Sequence, residues 1–293
     1  MRSHSFPGFA KIPIWDVLTF LEGELRREDI FTRANSMAYS FFLSLFPSII
    51  FMFTLLPYIP IDHFDEIINR TIRDIMPVNA HAFLFDTIES ITSIPRGGLL
   101  SIGFVLAFFF ASNGMLTLMR GFEKSHEVSF KERNFIKKRL IAIGLTSYVG
   151  LAFLLSGTLI VAGNYILSFI FGAENEKTFL ITMVKWLAVL FLFYSVISVI
   201  YRFGPPLRRK FRLASPGANL ATIFSILTSV GFSYFVDNFG TQSRVYGSLG
   251  ALIVMLVWMQ MNCFILLAGF ELNASIAVNR DLRLRKKELK KEK

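Results

Sequence analysis

Residues 36–59 read SMAYSFFLSLFPSIIFMFTLLPYI, twenty-four positions without a charged side chain. A helix rises about 1.5 Å per residue and the hydrocarbon layer of a bilayer is ~30 Å thick, so roughly 20 apolar residues span it. In lipid no water is available to the backbone, so such a run pairs its N–H and C=O groups within itself, as helix. Five further runs of this kind follow, at 99–119, 140–163, 180–201, 214–236 and 245–270. The fold class they imply is all-α: a polytopic membrane helix bundle of about six transmembrane helices, with amphipathic helices at its interfaces.

Composition agrees. Hydrophobic residues make up 53% of the 293-residue chain, and 33 of them are Phe. A soluble domain of that size needs more polar side chains than remain to cover its surface. The net charge of +10 would suggest nucleic acid on a soluble surface, but the cations lie in short stretches between apolar runs. The N-terminal segment, the loops at 120–139 and 202–212 and the C-terminal tail hold 25 Lys and Arg, against 6 in the alternate loops. By the positive-inside rule the rich face is cytoplasmic, which places both termini on the cytoplasmic side of an inner membrane. The expected organisation is a cytoplasmic amphipathic segment at 1–35, a six-span domain at 36–270 and a basic cytoplasmic tail at 271–293. The expected partners are membrane lipids, with anionic headgroups at the basic loops and no nucleic acid.

The loops carry patterns of their own. Trp15, Leu18, Leu21 and Leu25 recur three or four apart within 14–25, opposite Asp16, Glu22 and Glu24, as in a helix lying on a membrane surface. The acidic residues in this region, with no compact apolar core before a small-residue cleavage site, argue against a signal peptide. In the external loop at 60–98, Phe64, Ile67, Ile68, Ile72, Ile75 and Met76 form one helical stripe that ends at Pro77. Phe83, Leu84, Ile88, Ile91 and Ile94 form a second. The densely charged tail from 280 reads as a mobile segment near the headgroups.

In the first span Ser36, Ser40, Ser44 and Ser48 recur every fourth residue, with Tyr39 beside them and Pro47 within the helix. Proline removes a backbone donor and crowds the carbonyl of Leu43, so a kink is expected. Two readings stand: the stripe lines a translocation path, or small residues pack helices closely with each hydroxyl bonded to its own helix. Thr222, Ser225, Thr228, Ser229 and Ser233 repeat the theme in the fifth span, and Gln260 and Asn262 place amides in the sixth. Pro205, Pro206, Pro216 and Gly217 flank a loop carrying Arg208, Arg209, Lys210 and Arg212, whose cations suit topology or anionic headgroups.

No charge falls in the middle of a span, and Lys185 stands near an outer end where it can snorkel, so no proton relay is visible. There is no phosphate-binding loop for ATP, no GxSxG turn and no metal spacing among His4, His63, His81 and His126. The single Cys263 lies within an apolar run. No catalytic residue, metal or cofactor is expected, and the chain reads as a non-enzyme.

RANSMAYSFFLSLFP at 33–47, ASNGMLTLMRGFEKSHEV at 111–128, YRFGPP at 201–206, SPGANLAT at 215–222, VYGSLGALIVMLVW at 245–258 and LLAGFELNAS at 266–275 resemble, in order and spacing, the YihY/BrkB family of bacterial inner-membrane proteins. The resemblance implies six membrane helices and no established mechanism. The family once carried the label ribonuclease BN, one branch is linked to serum resistance, and other relatives are suspected of moving envelope lipids. Its motif positions fall on Arg33, Ala34, Tyr39, Ser44, Pro47, Asn113, Pro205, Pro216, Gly217, Tyr246, Gly247, Glu271 and Asn273. Without Ala34 and Pro205, and together with Ser40 and Asn262, these are the candidate cavity or motif residues. Arg33 precedes the first span and Glu271 follows the last, at the same depth on one side, so two readings stand: the two pair at that boundary, or each makes its own headgroup contact. The function expected is movement of an amphipathic envelope molecule such as a lipid. The alternatives are a non-transporting scaffold for envelope integrity and, less favoured, a membrane-bound hydrolase or ribonuclease.

Overall fold

The computed structural model describes residues 15, 19, 22, 30–55, 97–123, 129–171, 178–239 and 247–290. Six long helices run through them: α1 (Ile30–Leu55), α2 (Gly97–Gly121), α3 (Phe135–Phe171), α4 (Thr178–Phe203), α5 (Pro216–Phe239) and α6 (Gly247–Leu289). All six are long and apolar enough to cross a membrane. Of the expected surface helix at 14–25, Trp15, Thr19 and Glu22 are described and helical, and the Thr19 hydroxyl donates to the Trp15 carbonyl at 2.9 Å. The two expected helices of the loop at 60–96 lie outside the described residues, as does Tyr246.

Each span lies within one of these helices or overlaps it closely, but the helix ends differ from the ends of the apolar runs. α3 begins five residues before its run, through Phe135, Ile136, Lys137, Lys138 and Arg139. α6 passes residue 270 and continues to Leu289, where a mobile tail was expected. The reason is propensity: Lys, Arg, Leu and Glu are good helix formers, and no Gly or Pro interrupts 271–289. Hydropathy marks where lipid ends, not where a helix must.

The chain divides into two compact units, one of residues 40–111 and one of residues 1–39 with 112–293. In the smaller unit Phe51 and Phe104 meet at 5.3 Å between ring centroids, and Gly103 lies against the Phe51 backbone. Pro47 stands inside α1 without ending it.

In the larger unit α3 packs on α4, α5 on α6, and α4 joins α5. Burial there is one-sided. Almost every buried side chain lies beside the basic loops, in 112–122, 129–130, 142–145, 197–206, 211–225 and 263–278. Farther along the helices, in 150–160, 183–196, 226–236 and 252–262, only Ala152 and Lys185 are buried. The burial of Lys185 departs from the expected snorkelling; its ammonium lies 5.8 Å from the Trp186 ring centroid, within reach of a cation–π attraction.

Candidate functional site

The packed end of the larger unit holds the charged and polar groups that the sequence singled out. α5 starts there with Ser215 before Pro216, a cap followed by the residue best suited to a first helical turn. The Ser215 hydroxyl accepts the Ala218 N–H at 3.3 Å. The neighbouring donor, Gly217 N–H, is taken by Asn273 Oδ1 of α6 at 2.9 Å, while Asn273 Nδ2 donates to Ser215 Oγ at 2.9 Å. Asn273 therefore caps a helix other than its own and is buried in doing so.

This contact needs the two backbones close together. A Cβ on Gly217 would overlap the Gly269 carbonyl oxygen and lie 2.6 Å from Asn273 Cγ. A Cβ on Gly269 would lie 2.6 Å from the Tyr201 hydroxyl oxygen. Tyr201 is fully buried and donates to the Leu266 carbonyl at 2.6 Å, tying α4 to α6. Phe122 stacks on Phe270 at 4.5 Å and meets Tyr201 edge-on at 5.8 Å.

Arg33 adds α1 to this assembly. Its Nη1 donates to the Gly121 carbonyl at the end of α2, at 2.6 Å, and its Nη2 lies 3.1 Å from Glu271 Oε1 of α6. Of the two readings the sequence left open, the pairing is thus present. The pair is unequal: the Glu271 side chain is 0% exposed and that of Arg33 22%. A carboxylate so enclosed retains its charge only with compensating partners. Met37, also fully buried, packs on Gly121.

Other arginines hold helix ends. Arg133 donates to the carbonyls of Phe203, Gly204 and Pro205 at 3.2, 2.8 and 2.7 Å, the free acceptors where α4 stops. Burial lowers the pKa of its guanidinium from the ordinary value and Glu123 opposes the shift, so it remains a cation. Arg139 donates to Asn113 Oδ1, joining α3 to α2.

The remaining candidates lie elsewhere. Tyr39 is 62% exposed. Ser40, Ser44 and Pro47 belong to the smaller unit. Ser44 is buried there, with its hydroxyl on the Phe41 carbonyl at 2.6 Å, and Ser48 donates to the Ser44 carbonyl at 2.7 Å. Gly247 opens α6. Asn262 is half-buried and donates to the Trp258 carbonyl of its own helix at 3.0 Å. Sequence reasoning missed Tyr201, Gly269, Arg133 and Ser215. A partial signal existed in α5, where Gly217 and Ala221 lie four apart, the small-residue spacing of close helix crossings.

Two hydroxyls at the packed end, Ser198 of α4 and Thr222 of α5, are buried without a hydrogen-bond partner. Among the described residues no three His, Cys, Asp or Glu side chains gather as a metal site would require. What the arrangement can do is hold the six helices together at one end through polar and aromatic contacts.

The family described as Virulence factor BrkB matches residues 22–293. The chain is 32% identical over 246 residues to a putative ribonuclease-like protein, YfkH, of Bacillus subtilis strain 168, covering 83% of this chain and 88% of that one. It is 26% identical over 267 residues to a UPF0761 membrane protein of Aliivibrio fischeri strain MJ11, covering 89% and 83%. Against a UPF0761 membrane protein of Paraburkholderia xenovorans strain LB400 the identity is 29% over 243 residues, covering 80% and 54%. No solved structure matches the chain. With six membrane-length helices and a family match over nearly its whole length, the chain belongs to the BrkB family of integral membrane proteins.

Proposed function

We propose that the protein moves an amphipathic envelope molecule, a lipid, across the bacterial inner membrane, with both termini and the basic loops in the cytoplasm. The observation that carries this reading is the one-sided burial of the larger unit: a packed end beside the basic loops, and, away from it, the stretches 150–160, 183–196, 226–236 and 252–262, which bury only Ala152 and Lys185. A lipid needs a lateral opening for its tails and a polar strip for its headgroup. The unpacked halves of α5 and α6 supply polar groups at Ser229, whose hydroxyl takes a long 3.4 Å bond from Trp258 Nε1, and at Gln260 and Asn262. The packed end then serves as the closed gate. Ser198 and Thr222 favour its opening, because a buried hydroxyl without a partner costs about 1–3 kcal/mol that a rearrangement can recover. No nucleotide-binding loop is present, so movement runs downhill or on a gradient.

The test is reconstitution. The purified full chain is placed in liposomes with a trace of headgroup-labelled phospholipid, and an impermeant reductant bleaches the outer leaflet. Protein-dependent bleaching well beyond half of the label is expected. A plateau at half, with the protein shown to be folded and inserted, overturns lipid movement.

A scaffold reading draws on the smaller unit, where the Ser44 and Ser48 hydroxyls bond carbonyls of their own helix, as packing serines do. The ribonuclease reading rests on the name of one relative. Phosphodiester cleavage calls for metal ions or paired acid and base groups, and the described residues gather no metal cluster. Purified protein is expected to leave tRNA intact. Cleavage abolished by substituting Glu271 or another of its own residues would establish the hydrolase instead.

A further inference from the structure

The basic loop between α4 and α5 is held far more firmly than a topology signal requires. Gly204 N–H donates to Ile200 O at 2.8 Å, Lys131 N–H to Pro206 O at 2.7 Å, and Arg208 N–H to Ser129 O at 2.9 Å. Phe130 and Leu207 form an antiparallel bridge. Arg133 binds the three carbonyls that open the loop, Arg202 Nη1 donates to Phe211 O at 3.1 Å, and Phe211 is buried near Phe270. On this frame Arg208, Arg209, Lys210 and Arg212 all stand exposed.

Four like charges within five residues repel one another, and a rigid frame keeps them from spreading. Among the described residues no acidic side chain forms an ion pair with them. The loop itself has none, Glu123 is bound to Lys138 at 2.6 Å, and Asp281 accepts from Ser129 and Arg280, both at 2.8 Å. Glu132 is exposed on the adjoining stretch. Arg209, Lys210 and Arg212 form no ion pair among the described residues. A positive-inside signal depends on the number of cations and not on their arrangement, so the frame has another use.

We infer that the 204–215 loop is a preorganised binding site for the phosphate headgroup of an anionic phospholipid. Two exposed apolar side chains favour a lipid over a soluble anion. Leu213 is 49% exposed next to Arg212, and Phe203, 38% exposed at the end of a membrane-length helix, has Lys210 Nζ 4.3 Å from its ring centroid. Cation and apolar surface thus meet at one level, as a headgroup and its glycerol region do. The inference rests on the reading that the basic loops face a headgroup layer, but not on transport: it concerns binding at equilibrium.

The detergent-purified full chain is titrated with phosphatidylglycerol or phosphatidylcholine, and retained lipid is counted by native mass spectrometry. Three chains are compared: the wild type, the triple variant Arg209→Gln, Lys210→Gln, Arg212→Gln, and a control triple variant Arg285→Gln, Lys286→Gln, Lys290→Gln, at the end of α6 and just beyond it, with the same loss of charge. The wild type is expected to prefer phosphatidylglycerol. The loop variant should lose up to about 100-fold of that preference, at roughly five-fold per basic residue near an anionic surface, and the control should keep it. Equal loss in both variants, or none in the loop variant, overturns the site. A short oligonucleotide or inorganic phosphate that displaces the lipid overturns the lipid as occupant. If the triple variant fails to fold, the single variants Arg209→Gln and Arg212→Gln decide it: about five-fold loss in each supports the site, and none in either overturns it.

Discussion

Glu271 is enclosed and Arg33 is not, and that inequality sets the cost of breaking their pair. In Arg33→Met the carboxylate stays buried with no guanidinium opposite, a loss of about 3–5 kcal/mol by analogy with other broken buried pairs. The same change also strips the Gly121 carbonyl of its donor. In Glu271→Gln the guanidinium keeps Gly121 and can lean toward headgroups, so the cost falls nearer ~1 kcal/mol. Thermal unfolding in detergent should therefore rank wild type above Glu271→Gln and Glu271→Gln above Arg33→Met. The reverse order would mean that Arg33, not Glu271, is the strained partner. This pair was legible in the sequence as one of two readings, because each residue flanks an apolar run and both fall at the same depth. Tyr201 was not. It closes its apolar run, where an aromatic ordinarily faces lipid or packs, and only the fold shows its hydroxyl meeting the carbonyl of Leu266. Asn273 was legible as a motif residue but not as the cap of α5, since no local pattern tells which distant helix a buried amide will serve.

Among the helices, the crossing of α5 and α6 leaves no room for a side chain at Gly217. Gly217→Ala should cost about 1–3 kcal/mol, as overpacking does, and more if the backbones cannot part. Gly150→Ala on α3, where nothing lies within 4 Å, should be neutral or gain up to ~1 kcal/mol from helix propensity. Comparable losses at both sites would show that the crossing is not as close as described. In α1 the Ser44 hydroxyl bonds within its own helix, so Ser44→Ala should change stability by less than about 0.5 kcal/mol. Pro47→Ala restores a backbone donor toward Leu43 and should stabilise the helix. If the serine stripe lines a path, Pro47→Ala lowers complementation of an envelope phenotype while raising stability, and Ser44→Phe blocks function yet leaves the protein folded. Unfolding by Ser44→Phe would make the stripe a packing seam. The existence of all six helices was readable from apolar runs alone. Their ends were not, because the cationic start of α3 and the charged end of α6 are helical for reasons of propensity that hydropathy does not report.

For the molecule as a whole, the strongest regularity is the partition of Lys and Arg, 25 on one set of segments and 6 on the other. The fold adds a second asymmetry in register with it: the buried residues of the larger unit gather beside the rich segments. If the rich face is cytoplasmic, the packed end faces the cytoplasm, and the proposed gate and headgroup loop lie on the same side. Orientation is therefore the assumption from which the side of the gate follows. It is open to a direct test. Cys263 is buried, and Cys263→Ala removes the native thiol with a small change in volume. Single cysteines are then introduced at positions 65, 174 and 237 on the poor side, and at 131, 209 and 287 on the rich side. Intact cells are treated with an impermeant maleimide, and permeabilised cells serve as the control for reactivity. The first three sites should label from outside and the last three only after permeabilisation. Labelling of position 209 in intact cells would place the headgroup loop on the outer face, and the closed gate would then open outward instead of inward.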